Sequence, residues 1–526
     1  MKKSLSYLFQ VLLFYAILAG VRFLFVFWLL RDMNVYLHAE NESYAHYQRI
    51  PIILKTQDRK LLEEWKQRAP KISVFKDAHR VTTIGRLTWL PLSWDEPRSA
   101  WVGYWPCPWN AAEGVYTPSL QGEESLKERL QVKPFKIVRR QPAPLSPHFV
   151  ALTFESNQYF GTLKIRTPDG QLKDWRGLLD WAEYLGADAL WVLGGESPGD
   201  KGEIWLRYNI PLLPEMAKEC HQRGLKFGVW AMCYLTMPGS ARLPRYEYAV
   251  DIDSDSLKLT RAISLRDPRR PDDIAEFLKK VSNIPEVDHL GLDYIRNAQG
   301  GYELAEDFLK DMPWIRPPAG WESLSKTGKI KAFAKRKISY ADKALVDAWQ
   351  WWRAHRVGEI VSHIKKSIGD KKLLWAFTLG WEKGWQHGQD PIMMNDAGVD
   401  VDAVMMYEAT GDQFNDMVLA WSRYLRSNQA KMIVGDVIDW PLHQEQDLEE
   451  YIRRMRLGIK GIYGDGPAKG IFIHDLSRAL WGRKGPYTTL EWMEAAKRVV
   501  KEFKNPESVE SSGKSTESSP DDFTAH

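Results

Sequence analysis

The sequence predicts an α/β protein whose main body is a (β/α)8 TIM barrel, preceded by an apolar N-terminal span and a small β-rich domain. Three observations carry this. From residue 148 onward, short apolar strands alternate with amphipathic helices, which is the pattern of a parallel sheet with helical crossovers. Eight such strands can be drawn, and the first is followed by Glu155-Ser156-Asn157 with no glycine-rich phosphate turn, so a closed barrel fits better than an open nucleotide-binding sheet. The strand ends also collect carboxylates and aromatic rings, as the C-terminal face of a barrel does.

At the N-terminus, Lys2 and Lys3 precede an apolar run over residues 7–30, interrupted by Gln10 and Arg22 and followed by Arg31 and Asp32. That run is long enough to cross a bilayer. It exceeds the apolar core of a cleaved signal peptide, and no small-x-small site follows it. Residues 1–32 are therefore expected to form an uncleaved single-pass anchor, with the basic end in the cytoplasm and the rest of the chain extracytoplasmic. Arg22 is a cost to that span.

Residues 45–145 read as a separate β-rich domain, with strands over 49–55, 72–75, 81–89 and 135–138 and a helix over 60–68. The arrangement resembles an immunoglobulin-like sandwich. Its aromatic cluster Trp101, Tyr104, Trp105 and Trp109 has two readings, a sugar-stacking face or core packing. A Pro-rich linker over 141–147 leads into the barrel, expected over 148–503. The barrel strands are expected over 149–155, 189–193, 226–232, 290–293, 373–378, 403–408, 432–436 and 470–475. Helical periods fall at 173–185, 212–223, 272–281, 344–368, 413–426, 446–459 and 490–503. The tail over 505–526, rich in Ser, Glu, Lys and Pro, is expected to be disordered.

Composition excludes several classes. A net charge of +4 over 526 residues, with both signs interspersed, leaves no nucleic-acid footprint. Cys107, Cys220 and Cys233 have no metal-ligand spacing, and the 12 histidines form no His-x-His or His-Glu-x-x-His cluster. No cofactor or metal is expected. The strand ends read in order as Glu155; Glu196; Trp230; Asp293-Tyr294 with Arg296; Trp381-Glu382 with Trp385; Tyr407-Glu408; Asp436 with Asp439; and His474-Asp475. Paired carboxyls do acid, base or nucleophile work at a glycosidic bond, and indoles present flat apolar faces to sugar rings. A barrel mouth is solvated, so acidic groups also occur there without catalysis. With 24 tryptophans, some fall near any site by chance.

Arg266-Asp267-Pro268, an amphipathic helix, and then His289-Leu290-Gly291-Leu292-Asp293-Tyr294-Ile295-Arg296 resemble the glycoside-hydrolase-like family 10 barrels. In that family an Asp-Pro helix leads into a strand ending in a similar Asp-Tyr-Ile-Arg run. The helix carrying Trp351-Trp352-Arg353 and the run Met405-Met406-Tyr407 are similar to the family's approach to strand five and to its strand-six end. The resemblance covers 148–503 in organisation and is sharpest at Asp293. It implies a carbohydrate-acting barrel with Asp293 as the key carboxylate and Tyr294 and Arg296 shaping the site. The chain departs from the pattern at Glu408, where the family has an aromatic residue, and at Asn297, where a proline commonly follows.

The expectation is metal-independent hydrolysis of a polysaccharide or envelope glycan. Asp293 would be nucleophile or charge stabiliser and Glu408 the general acid. Glu155, Trp230, Tyr294, Arg296, Trp381, Trp385, Tyr407, Asp436 and Asp475 would line the substrate cleft. A non-catalytic glycan-binding or envelope-scaffold barrel, and a metal-dependent deacetylase or amidohydrolase, are the alternatives.

Overall fold

A computed structural model describes residues 13–22, 34–109, 111–122, 124–196, 209–236, 242–296, 300–379, 386–407, 415, 418–419, 432–442, 447–460 and 468–506. Residues 13–22 are helical with exposed side chains. Among the described residues no helix is long and apolar enough to cross a membrane. The rest of the expected anchor, 1–12 and 23–33, lies outside the described residues, as does nearly all of the expected tail. The chain forms two compact units. One is drawn from the chain up to Arg139 together with Leu309–Arg316, the other from the remainder.

The first unit contains two sheets around one core. In one, the strands lie in the order Leu130–Lys133, Val35–Ala39, Ile50–Thr56, Ala100–Trp105, Ser93–Asp95. In the other the order is Ser43–Ala45, Phe135–Val138, Gly114–Leu120, Lys71–Lys76, His79–Arg80. Phe135–Val138 shows why such strands form: Phe135 and Ile137 are buried while Lys136 and Val138 face solvent, the period-two pattern of a half-covered sheet. Val35–Ala39 pairs in parallel with Leu130–Lys133, and Ser43–Ala45 with Phe135–Val138. These parallel pairs depart from the antiparallel immunoglobulin-like sandwich expected from sequence. Trp101 and Trp105 belong to the shared core, whereas Tyr104 is exposed. The helix Arg59–Gln67 is capped by Asp58, whose side chain accepts from the Lys60 and Leu61 amides, and it buries Leu61 and Trp65 one turn apart.

In the second unit eight strands close into a barrel: β1 (Phe149–Phe154), β2 (Ala189–Gly195), β3 (Lys226–Met232), β4 (His289–Asp293), β5 (Leu373–Leu379), β6 (Val401–Met405), β7 (Met432–Val437) and β8 (Ala468–His474). Every neighbouring pair is parallel, and β8 returns to β1. Alternate side chains fill the interior, among them Phe149, Ala151, Trp191, Trp230, Trp375, Phe377 and Phe472. Two indoles stack across it, Trp191 on Trp375, with centroids 3.8 Å apart.

Rings of that size need room, and glycines on facing strands supply it. A Cβ on Gly228 would lie 2.1 Å from Trp191 Cδ1, and one on Gly291 would lie 2.4 Å from Trp375 Cζ2. Trp230 is part of this plug, edge-on to Trp375 and Phe377 and 0% exposed. Its expected role as a sugar-stacking residue is corrected to core packing, because its position on β3 turns the ring into the filled interior.

The crossovers include helices Gly177–Leu185, Leu213–Gln222 and Arg269–Ser282, each burying one apolar face. After β3 the chain first makes an antiparallel hairpin, Tyr248–Asp253 with Ser256–Ile263. Between β4 and β5 lie three helices, Ala305–Asp311, Lys326–Ile338 and Lys343–Ile368. The last carries buried Trp349, Trp351 and Trp352 around most of its circumference.

Candidate active site

A cluster of groups with perturbed chemistry gathers at the C-terminal ends of the barrel strands. Glu155 follows β1 directly. Its Oε2 lies 3.1 Å from His474 Nε2 at the end of β8 and 3.8 Å from an Arg478 guanidinium nitrogen. Arg478 sits on the short helix Leu476–Trp481, whose N-cap is Asp475. The same cap residue accepts the Glu155 backbone N–H at 2.8 Å, so one carboxylate fixes both the helix start and the turn out of β1. Burial works to raise the Glu155 carboxyl, but the His474 hydrogen bond and the His474 and Arg478 charges outweigh it and hold it below the usual glutamate range. His474 is itself oriented: Thr153 Oγ1 lies 2.8 Å from Nδ1, and the Tyr407 ring stacks on the imidazole at 5.2 Å.

Asp293 closes β4 and is 5% exposed. Burial, and after it the Glu155 charge, push its carboxyl up to about 7, against the opposing effects of Arg296 and the Tyr294 amide. That amide donates to Asp293 Oδ1 at 2.7 Å, and Tyr294 itself takes a left-handed φ of 48°. The Arg296 guanidinium lies 4.5 Å from the Tyr294 ring centroid. Glu196, just past β2, is also buried, and neither carboxyl oxygen has a hydrogen-bond partner among the described residues. Burial first, and the Glu155 charge second, push it up to about 7. The carboxyls at the ends of β2 and β4 therefore both feel Glu155 at the end of β1, and of the three Glu155 alone is held below its ordinary range.

The remaining expected residues divide clearly. Tyr407 belongs to the cluster, and its hydroxyl is buried without a hydrogen bond among the described residues. Asp436 is tied to Arg454, whose Nε donates to Oδ2 at 2.6 Å with both side chains 1% exposed. Arg454 also donates to the Met406 and Tyr407 carbonyls, so this pair holds the β6 end rather than presenting a carboxylate to the cleft. Asp475 is engaged in capping, as above. Glu408, Trp381 and Trp385 lie outside the described residues. Arg478 was not singled out from the sequence, and Glu196 only as one acid among many.

Among the described residues, Glu155, His474 and Asp475 form a group compact enough to hold a metal ion, with ligand atoms within 4.8 Å of one another. Two of the three already bond to each other, and Arg478 stands beside Glu155. A cavity of about 670 Å³ lies at the opposite end of the barrel, lined by Arg140, Lys226, Asp288, His289, Lys365 and Asp400. It is remote from the converging carboxyls, and several of its charges pair with one another, Lys226 with Asp288 and Lys365 and Arg140 with Asp400. Burial pushes His289 down to about 4, and its Nδ1 accepts from Trp191 Nε1. This end of the barrel is a structural base.

No protein-family model and no curated protein sequence matches the chain. Solved structures that resemble it include the catalytic domain of a β-amylase from Paenibacillus polymyxa, at 10% identity over 68% of this chain and 98% of that one with a TM-score of 0.41. The GH53 catalytic domain of Ignisphaera aggregans matches at 12% identity over 69% and 99%, with a TM-score of 0.39. A chitinase from Rhizomucor miehei matches at 11% identity over 66% and 99%, with a TM-score of 0.34. Likenesses this distant carry no argument about chemistry, and the closed eight-stranded barrel rests on its own strand pairing.

Proposed function

We propose that the barrel hydrolyses glycosidic bonds in a polysaccharide or envelope glycan, with Glu155 and Asp293 as the working carboxyls. One observation carries the reading: the two carboxyls are displaced in opposite directions. Glu155 is held low by His474 and Arg478, against burial, while Asp293 is pushed up to about 7 by burial and by Glu155. Two carboxyls driven apart in this way divide the acid and anion roles between them. Near neutral pH Asp293 has a proton to give to the departing sugar oxygen, and ionised Glu155 meets the positive charge that develops at the anomeric carbon. The acid role expected for Glu408 passes to Asp293 in this reading. The likeness of the Asp293-Tyr294-Ile295-Arg296 run to glycoside-hydrolase-like family 10 supports it.

The reading includes a single-pass anchor over residues 7–30 and an extracytoplasmic barrel, supported by the length of the apolar run and the lysines before it. The test is release of reducing ends from a panel of polysaccharides, with Asp293→Asn and Glu155→Gln alongside the wild type. Asp293→Asn is expected to lose natural glycans but keep dinitrophenyl glycosides, whose leaving group needs no proton. Glu155→Gln is expected to lose both. A wild type inert on every glycan it binds removes the enzyme reading and leaves a non-catalytic glycan-binding barrel. A metal-dependent hydrolase is the second reading, favoured by the close approach of Glu155, His474 and Asp475. Metal analysis of the purified protein and loss of activity to a chelator would decide for it.

A further inference from the structure

Outside the barrel, the first unit carries a cavity of about 330 Å³ between its helix Arg59–Gln67 and the edge of a sheet, lined by Arg59, Leu62, Glu63, Lys66, Trp94 and Trp101. Its sheet wall is a cross-strand pair. Trp94 on Ser93–Asp95 faces Trp101 on Ala100–Trp105 in antiparallel register, with ring centroids 5.9 Å apart and planes at 66°. Trp101 is anchored in the core at 5% exposure, and Trp94 is half-buried and leans on it. An indole immobilised in this way offers a rigid apolar surface with little entropy to lose when a ligand covers it. Leu62, half-buried on the helix, continues that surface.

The rim is charged and unbalanced. Lys66 and Glu63 pair one turn apart at 2.8 Å and cancel. Arg59 is exposed and has no ion pair or hydrogen bond among the described residues. The nearby acids are engaged elsewhere: Asp58 caps the helix and pairs with Arg129, and Asp95 pairs with Arg98. The cavity thus combines an indole face braced edge-on by a second indole, an aliphatic side chain and one uncompensated guanidinium, whose planar fork matches a carboxylate.

We propose that this cavity is a second glycan-binding site, specific for an acidic saccharide, with a pyranose ring on Trp94 and its carboxylate on Arg59. The choice of a saccharide over other flat anions rests on the barrel reading above; the acidic requirement rests on Arg59 alone. Such a site would tether an acidic polymer to the chain that carries the barrel and raise its local concentration.

The test uses the full chain and Trp fluorescence together with calorimetry. The probes are oligogalacturonate, hyaluronan and alginate fragments, with cello- and chito-oligosaccharides as neutral counterparts. The wild type is expected to bind at least one acidic series and to bind the neutral ones at least about tenfold more weakly. Trp94→Ala should weaken the acidic interaction by about tenfold or more, within the range of one stacked aromatic contact. Arg59→Gln should remove the preference for acid over neutral while leaving the unit folded, since Arg59 is exposed at the first position of its helix. Binding to no acidic probe, equal binding of neutral sugars, or acidic binding unchanged in both variants would each overturn the proposal. The two readings fail separately. Hydrolysis without binding at Trp94 refutes only this site, and binding at Trp94 with an inert barrel refutes only the catalytic one.

Discussion

Replacing Asp293 by Asn should make the protein more stable, and the gain should grow with pH. The side chain is 5% exposed, and burial followed by the Glu155 charge moves its carboxyl from the ordinary 3.8 to about 7. A carboxyl raised in this way favours the folded state fully below pH 3.8, and that contribution is lost as pH rises through about 7. Above that pH the folded protein carries an ionisation cost of about 4 kcal/mol relative to the unfolded chain, from about 1.4 kcal/mol for each pH unit of the gap. Asn keeps the shape and the acceptor for the Tyr294 amide but cannot ionise. Urea unfolding of both proteins at pH 4.5 and pH 8 reads the effect. The difference between variant and wild type should be about 3 kcal/mol larger at pH 8, and a third of that is measurable. An equal difference at both pH values would mean that Asp293 titrates as an ordinary surface carboxyl, and the acid role proposed for it would fall.

Arg454→Met should cost about 3–5 kcal/mol, because it strands the buried Asp436 carboxylate; adding Asp436→Leu should recover most of that, and a double variant as unstable as the single one would contradict the account. Gly291→Ala should cost about 1–3 kcal/mol by overpacking Trp375 and Trp230, read as a lowered urea midpoint; an unchanged midpoint would show that the indole plug is loose. On cell fractionation the protein should stay with membranes through a high-salt wash, and protease added outside should reach the barrel; a soluble, N-terminally trimmed product would point to a cleaved leader.

Much of the barrel is legible from periodicity because its strands are buried on both faces and read as short apolar runs between helices. β1, β3 and β5 fall within a residue of their expected bounds for that reason. The hairpin Tyr248–Asp253 with Ser256–Ile263 is not marked by periodicity, since several of its residues are polar or half-exposed. At the site, Asp293 stands out because a strand stops on it abruptly. Arg478 does not, because its value lies in reaching Glu155 across more than three hundred residues of sequence, and nothing local marks that contact. Glu196 differs from Glu155 and Asp293 in having no hydrogen-bond partner among the described residues, a property of the folded state. Trp230 departs from expectation in the opposite sense: a tryptophan on an inward-facing strand position fills the barrel before it can line the cleft.

The central claim is that Glu155 and Asp293 are driven apart in acidity, and carboxyl titration tests it without needing a substrate. With aspartate labelled at the side-chain carboxyl carbon, the resonance assigned by its loss in Asp293→Asn should titrate at about pH 7 in the wild type. It should move to lower pH in Glu155→Gln, because removing the Glu155 charge takes away the second cause of the elevation. A midpoint near the ordinary 3.8 in the wild type, unmoved by Glu155→Gln, would contradict the account.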